Sequence, residues 1–112
     1  MIQPEKYQGK WAVLNNKKIH KEMIFMARKE QIITSIKEAG LVAVVRAENS
    51  EQAFKIANAC IEGKVAAIEI TFTVPGAQDV IKDLAKKYSG GEIIIGAGTV
   101  LDAETARTAI LA

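Results

Sequence analysis

From residue 27 onward the apolar positions fall into blocks of two kinds. Ile32, Ile33, Ile36 and Ala39 recur at helical spacing and predict a helix over about 28–39, with Gly40 as its stop. Leu41-Val42-Ala43-Val44-Val45 follows as a short, wholly apolar, β-branched run. Such a run reads as a strand covered on both faces, as in a parallel sheet. Asn49-Ser50-Glu51-Gln52 is a helix-start signal, and Ala53, Phe54, Ile56, Ala57, Cys60 and Ile61 form one broad apolar face that Gly63 ends. Val65 to Phe72 is a second strand. Pro75-Gly76 opens a helix with Val80, Ile81, Leu84, Ala85 and Tyr88 inward, closed by Ser89-Gly90-Gly91. Glu92-Ile93-Ile94-Ile95 reads as a third strand running into the glycine-bearing segment 96–100. Asp102 then caps a helix with Ala106, Ala109 and Ile110 inward.

Strands alternating with amphipathic helices imply right-handed crossovers and a parallel sheet. The predicted fold class is therefore α/β: an N-terminal helix plus about three βα units. A (β/α)8 barrel needs about 200–250 residues, so the expected architecture is a partial barrel. The domain reading is a poorly ordered basic leader over 1–25 and the N-terminal part of a barrel over 26–112. In the leader, Pro4, Gly9 and Asn15-Asn16 interrupt any period, and Met26 or Met23 is a plausible natural start.

Charge sharpens that division. Residues 1–29 hold seven Lys/Arg against two Glu, and residues 30–112 hold eight against eleven Asp/Glu. A basic arm can bind nucleic acid, yet Trp11 and Tyr7 make no stacking platform, and no nucleic-acid partner is expected. One cysteine, Cys60, leaves no intrachain disulfide framework and suits a reducing compartment. At its helical core position it reads as a small apolar residue. No apolar run approaches the roughly 18 residues of a membrane span, and Met23-Ile24-Phe25-Met26 is too short for a signal-peptide core. The expected location is the cytoplasm, with no membrane partner.

One residue breaks the apolar pattern. Glu69 lies in the middle of the second strand, where an ionised carboxylate is costly to bury unless it is paired, wetted or used. In parallel α/β folds, ligands sit at the C-terminal ends of strands. Arg46, Glu69, Thr73 and Thr99 all fall at or near those ends. For each there is a plainer reading. Arg46 as a solvated strand end, Thr73 as the cap of the next helix, and Glu69 as half of a buried ion pair all remain open. Gly96-x-Gly98 before Thr99 would let backbone approach a ligand closely, but it lacks the last glycine of a dinucleotide fingerprint. His20 is the only histidine, and no His/Cys cluster suggests a metal. Neither a metal nor a cofactor is expected.

Three blocks carry a resemblance: Val42-Ala43-Val44-Val45-Arg46-Ala47, Ile68-Glu69-Ile70-Thr71-Phe72-Thr73-Val74-Pro75 and Ile95-Gly96-Ala97-Gly98-Thr99-Val100. In order and spacing they resemble the bacterial 2-keto-3-deoxy-6-phosphogluconate (KDPG) and 4-hydroxy-2-oxoglutarate (KHG) aldolases, from about Met26 to Ala112 and over roughly the first half of such an enzyme. The resemblance implies a class I aldolase on a TIM barrel, usually trimeric. It cleaves a keto-acid substrate to pyruvate and an aldehyde, glyceraldehyde 3-phosphate or glyoxylate, in Entner-Doudoroff and related carbohydrate metabolism. A lysine forms the Schiff base and a glutamate moves protons. Glu69 matches that glutamate, and Thr99 matches the threonine that helps hold the pyruvate carboxylate. Thr73 stands where many members carry a carboxylate-binding arginine, with Arg46 as a possible substitute. Lys64 stands where a second glycine commonly follows Gly63. The Schiff-base lysine belongs to a later strand and is absent from this sequence, so the 112-residue chain alone is expected to be inactive. The alternative is a non-catalytic (βα)3 piece that self-assembles or complements a C-terminal partner.

Overall fold

In the computed structural model, residue 23 and residues 28–112 are described. The expectations for the leader therefore lie outside the described residues. The chain divides into two compact units, Met1–Thr34 and Ser35–Ala112. Helical residues run over 28–39 (α1), and the Gly40 N–H closes on the Ile36 carbonyl at 3.2 Å with Gly40 at φ 68°. Glycine reaches that left-handed conformation without steric cost, which is why the helix stops there.

Six further elements follow: β1 (Ala43–Val45), α2 (Ser50–Glu62), β2 (Ala67–Thr71), α3 (Ala77–Lys87), β3 (Ile94–Gly98) and α4 (Ala103–Leu111). The three strands form one parallel sheet in the order β1-β2-β3. This is the α/β architecture expected, with βα units consistent with part of a (β/α)8 barrel. Val44, Glu69 and Gly96 lie side by side across the sheet, and Thr71 lies beside Gly98.

The core forms where the sheet meets α2 and α3. Val45, Ile68 and Ile70 come from the strands, Ala53 and Ala57 from α2, and Ala77, Val80, Ile81 and Leu84 from α3. Leu84 and Ile70 are fully buried. Truncating either to alanine would cost about 2–5 kcal/mol. Because side chains alternate along a strand, Val44, Glu69 and Gly96 fall on the opposite face from Val45, Ile68 and Ile70. That face is open at Val44, which is 47% exposed, and closed at Ala67 and Thr71, which are buried.

Local chemistry sets the boundaries. Asn49 caps α2 by accepting the Gln52 N–H at 2.9 Å, and the Gln52 side chain in turn accepts the Glu48 N–H. At the other end Gly63 has an ordinary φ of −73°, and Lys64 takes the left-handed conformation at φ 72°. The Lys64 and Val65 N–H groups bond back to Ile61 and Cys60, the paired pattern of a Schellman stop. The position thus demands a left-handed geometry that a glycine would take without steric cost. α2 and α3 are tied by Asn58, whose Oδ1 accepts from Lys87 Nζ at 2.6 Å and Tyr88 OH at 2.5 Å.

The structure departs from the sequence reading at several points. β3 begins two residues later than predicted and carries Gly96-Ala97-Gly98 inside the strand, past its predicted end at Ile95. Glycine disfavours strands in isolation, but here all three residues pair with β2. Only Ala43–Val45 of the first apolar run pairs as a strand, and the second strand is the shorter Ala67–Thr71. Ala85 is exposed, because the buried stripe of α3 is confined to 77, 80, 81 and 84. Ile110 is 83% exposed, since among the described elements α4 rests on α3 and buries no residue fully.

Candidate functional site

The C-terminal edge of the sheet gathers the candidate residues. Arg46 directly follows β1, Thr99 directly follows β3, Thr73 lies two residues past β2, and Glu69 sits within β2 two residues before its end. Arg46, Thr73 and Thr99 are exposed, while Glu69 is half-buried. The strand order puts Glu69 on the central of the three strands.

Glu69 and Gly98 fit together. A Cβ on Gly98 would fall on the Glu69 carboxyl group, overlapping its Oε1, Cδ and Cγ. The Glu69 side chain therefore leans along the sheet towards the strand ends and lies across the bare backbone of β3. Gly96, its register partner, has no such constraint, for a Cβ there would meet only the Ile68 carbonyl at an ordinary 3.7 Å. The expected use of these glycines, room for a ligand against backbone, is in part replaced: Gly98 makes room for Glu69 itself. Among the described residues no lysine or arginine lies in ion-pair reach of Glu69, and the one ion pair is Lys55–Glu51 on the surface of α2. Within that region the buried-ion-pair reading of Glu69 has no partner.

Thr99 follows at φ 55°. A β-branched residue in the left-handed region is a genuine outlier, costing about 1–2 kcal/mol. Strain of this kind gathers where a side chain or amide must be aimed. The chain turns there from β3 toward α4, which Asp102 caps by accepting the Thr105 N–H at 2.6 Å and its hydroxyl at 2.9 Å. Those two bonds hold the Asp102 carboxyl below the usual carboxylate range.

Thr73 does not cap α3. The N-cap is Gly76 at φ 72°, with no side-chain bond to the helix N–H groups. Instead the Thr73 hydroxyl lies 2.7 Å from that of Thr71, which is fully buried and donates to the Val45 carbonyl at 3.2 Å. The Phe72 N–H donates to the Gly98 carbonyl at 2.8 Å and extends the pairing of β2 and β3.

The model of the KDPG and KHG aldolase family matches residues 32–112. The chain belongs to this family. It is also 32% identical over 75 residues to the 2-dehydro-3-deoxy-phosphogluconate aldolase of Haemophilus influenzae. That match covers 67% of this chain and 34% of the relative, so it spans about a third of the relative's length.

Two residues of this aldolase-family chain went unmarked in the sequence reading. Thr71 reads in the sequence as one more strand residue, although it shares one face of β2 with Glu69 and its hydroxyl meets that of Thr73 just past the strand. Gly98 was given a general role, and its specific one depends on a side chain from another strand. No local pattern encodes that. Among the described residues no group of His, Cys, Asp and Glu is arranged to hold a metal ion, and no helix is long and apolar enough to cross a membrane.

Proposed function

We propose that this chain supplies the proton-transfer side of a class I aldolase site. In that site Glu69 is the general acid/base for C–C cleavage of a 2-keto acid to pyruvate and an aldehyde. The supporting observation is the Glu69 carboxyl laid over Gly98, half-buried, at the end of the sheet where parallel α/β folds bind ligands. A carboxylate held there can take a proton from a substrate hydroxyl and return it to carbon. Thr99 and Arg46 supply donors for the keto-acid carboxylate, and Thr73 lines the same rim. KDPG and 4-hydroxy-2-oxoglutarate are the proposed substrates, as the family's name suggests, in a cytoplasmic trimer.

The chemistry also needs an amine that forms an imine with the keto carbon, because the imine is what acidifies the neighbouring bond. Among the described residues every lysine lies on a helix or, for Lys64, in a turn, and none is carried by a strand. On this reading the purified 112-residue chain is inactive by itself. Borohydride reduction in the presence of pyruvate tests this by mass spectrometry. No adduct is expected, and a covalent pyruvate adduct would overturn the inactivity.

The second reading is the non-catalytic (βα)3 piece that associates with other copies or with a lysine-bearing partner segment. It is favoured by the open face at Val44 and by Leu101, 85% exposed beside the rim. Sedimentation separates the cases: a monomer at all concentrations speaks against self-assembly.

A further inference from the structure

The buried Thr71 hydroxyl has one proton to give and is shielded from water. It lies 3.2 Å from the Val45 carbonyl, which can only accept, and 2.7 Å from the Thr73 hydroxyl, which can do either. With its proton on Val45, Thr71 must receive the Thr73 proton. Thr73, exposed at the rim, is then left with lone pairs facing solvent.

We propose that Thr71 is a positioning residue that fixes the polarity of Thr73, so that the rim reads a hydrogen-bond donor on the ligand at this point. The class of group recognised is a hydroxyl, not an anion. A carboxylate only accepts, so Thr73 held this way cannot bind it without breaking the bond to Thr71. The carboxylate falls instead to Arg46 and Thr99 on the neighbouring strand ends. This assignment rests on the keto-acid reading above and refines it. Glu69 in β2 and Thr73 in the turn after it divide the work, with Glu69 moving the proton of a substrate hydroxyl and Thr73 accepting from a hydroxyl. The link from Thr71 to Val45 also couples the end of β2 to the end of β1, just before Arg46.

The test compares two ligands that differ by one hydroxyl, 2-oxobutanoate and 4-hydroxy-2-oxobutanoate, by NMR titration of the whole chain. The wild type is expected to prefer the hydroxylated ligand about tenfold, the worth of one good hydrogen bond. Thr71→Val, which frees Thr73 to donate as well as accept, should narrow that preference with little change for 2-oxobutanoate. Thr71→Ser, which keeps the hydroxyl, should retain it. An unchanged preference in Thr71→Val, or a wild-type preference for 2-oxobutanoate, overturns the proposal. Should neither ligand bind, the keto-acid reading fails. The polarity is then decided by the hydroxyl protons in the free chain. A slowly exchanging Thr71 hydroxyl proton close to the Val45–Arg46 backbone upholds the assignment, and one directed at Thr73 overturns it.

Discussion

Lys64 and Thr99 both take a positive φ at opposite ends of the sheet, 72° before β2 and 55° after β3. Both are residues that resist the left-handed region, and the reasons they occupy it differ. Lys64 completes the stop of α2, its N–H bonded to Ile61, and its side chain is exposed. Glycine would do the same job with less strain. Thr99 turns the chain at the rim beside Glu69 and Gly98, and there a glycine would remove the hydroxyl assigned to the ligand. The same strain is thus incidental at one end and tied to proposed chemistry at the other. A strained backbone locates a site only when the neighbouring side chains converge with it.

The strongest test of this contrast lies one residue from Thr99. Gly98→Ala should destabilise the chain by about 1–3 kcal/mol, because the new methyl group occupies the Glu69 carboxyl position. Adding Glu69→Ala should recover most of the loss in denaturant melts, and strictly additive effects would mean the two positions do not touch. Next in size, Thr99→Gly should stabilise the fold by about 1 kcal/mol while weakening pyruvate binding. Lys64→Gly should gain about 0.5 kcal/mol, since an unbranched side chain is less strained there and glycine costs more to order. Binding should be untouched in that variant. Equal effects of both substitutions on binding would dissolve the distinction between the two ends.

The smallest effect concerns the cap that follows Thr99. Because hydrogen bonds from Thr105 hold the Asp102 carboxyl below its ordinary value near 3.8, the cap is fully formed at neutral pH. Its contribution is lost as pH falls below about 4. Amide-exchange protection in the first turn of α4 should decline over that range. In Asp102→Asn, which caps without titrating, the same protection should stay flat.

Much of the fold was readable because its signals are local. The caps at Asn49 and Asp102, the stops at Gly40 and Gly63, and the β-branched runs each act within a few residues, and they give the four helices and three strands in their observed order, with the strand bounds shifted. Family membership was legible in the three rim blocks. The misses share a cause. Gly96-Ala97-Gly98 falls outside the predicted strand because pairing with β2, which decides its state, is invisible from its own composition. Thr73 looked like a cap because its real partner, Thr71, is two residues away on a strand face and not in the helix. Ile110 looked buried because periodicity shows which side of a helix is apolar, not whether anything covers it.

The strand order β1-β2-β3 bears on how the chain folds. Each strand pairs with the next one in sequence, so every sheet contact closes a loop of a single βα unit. The entropy of closing such loops grows only slowly with length, and topologies made of near neighbours reach their native pairing faster than those that join distant segments. β2 can therefore dock on β1 as soon as α2 is folded between them, and β3 needs only β2 and α3. Assembly of this sheet is a relay in which each hairpin-free step makes the template for the next.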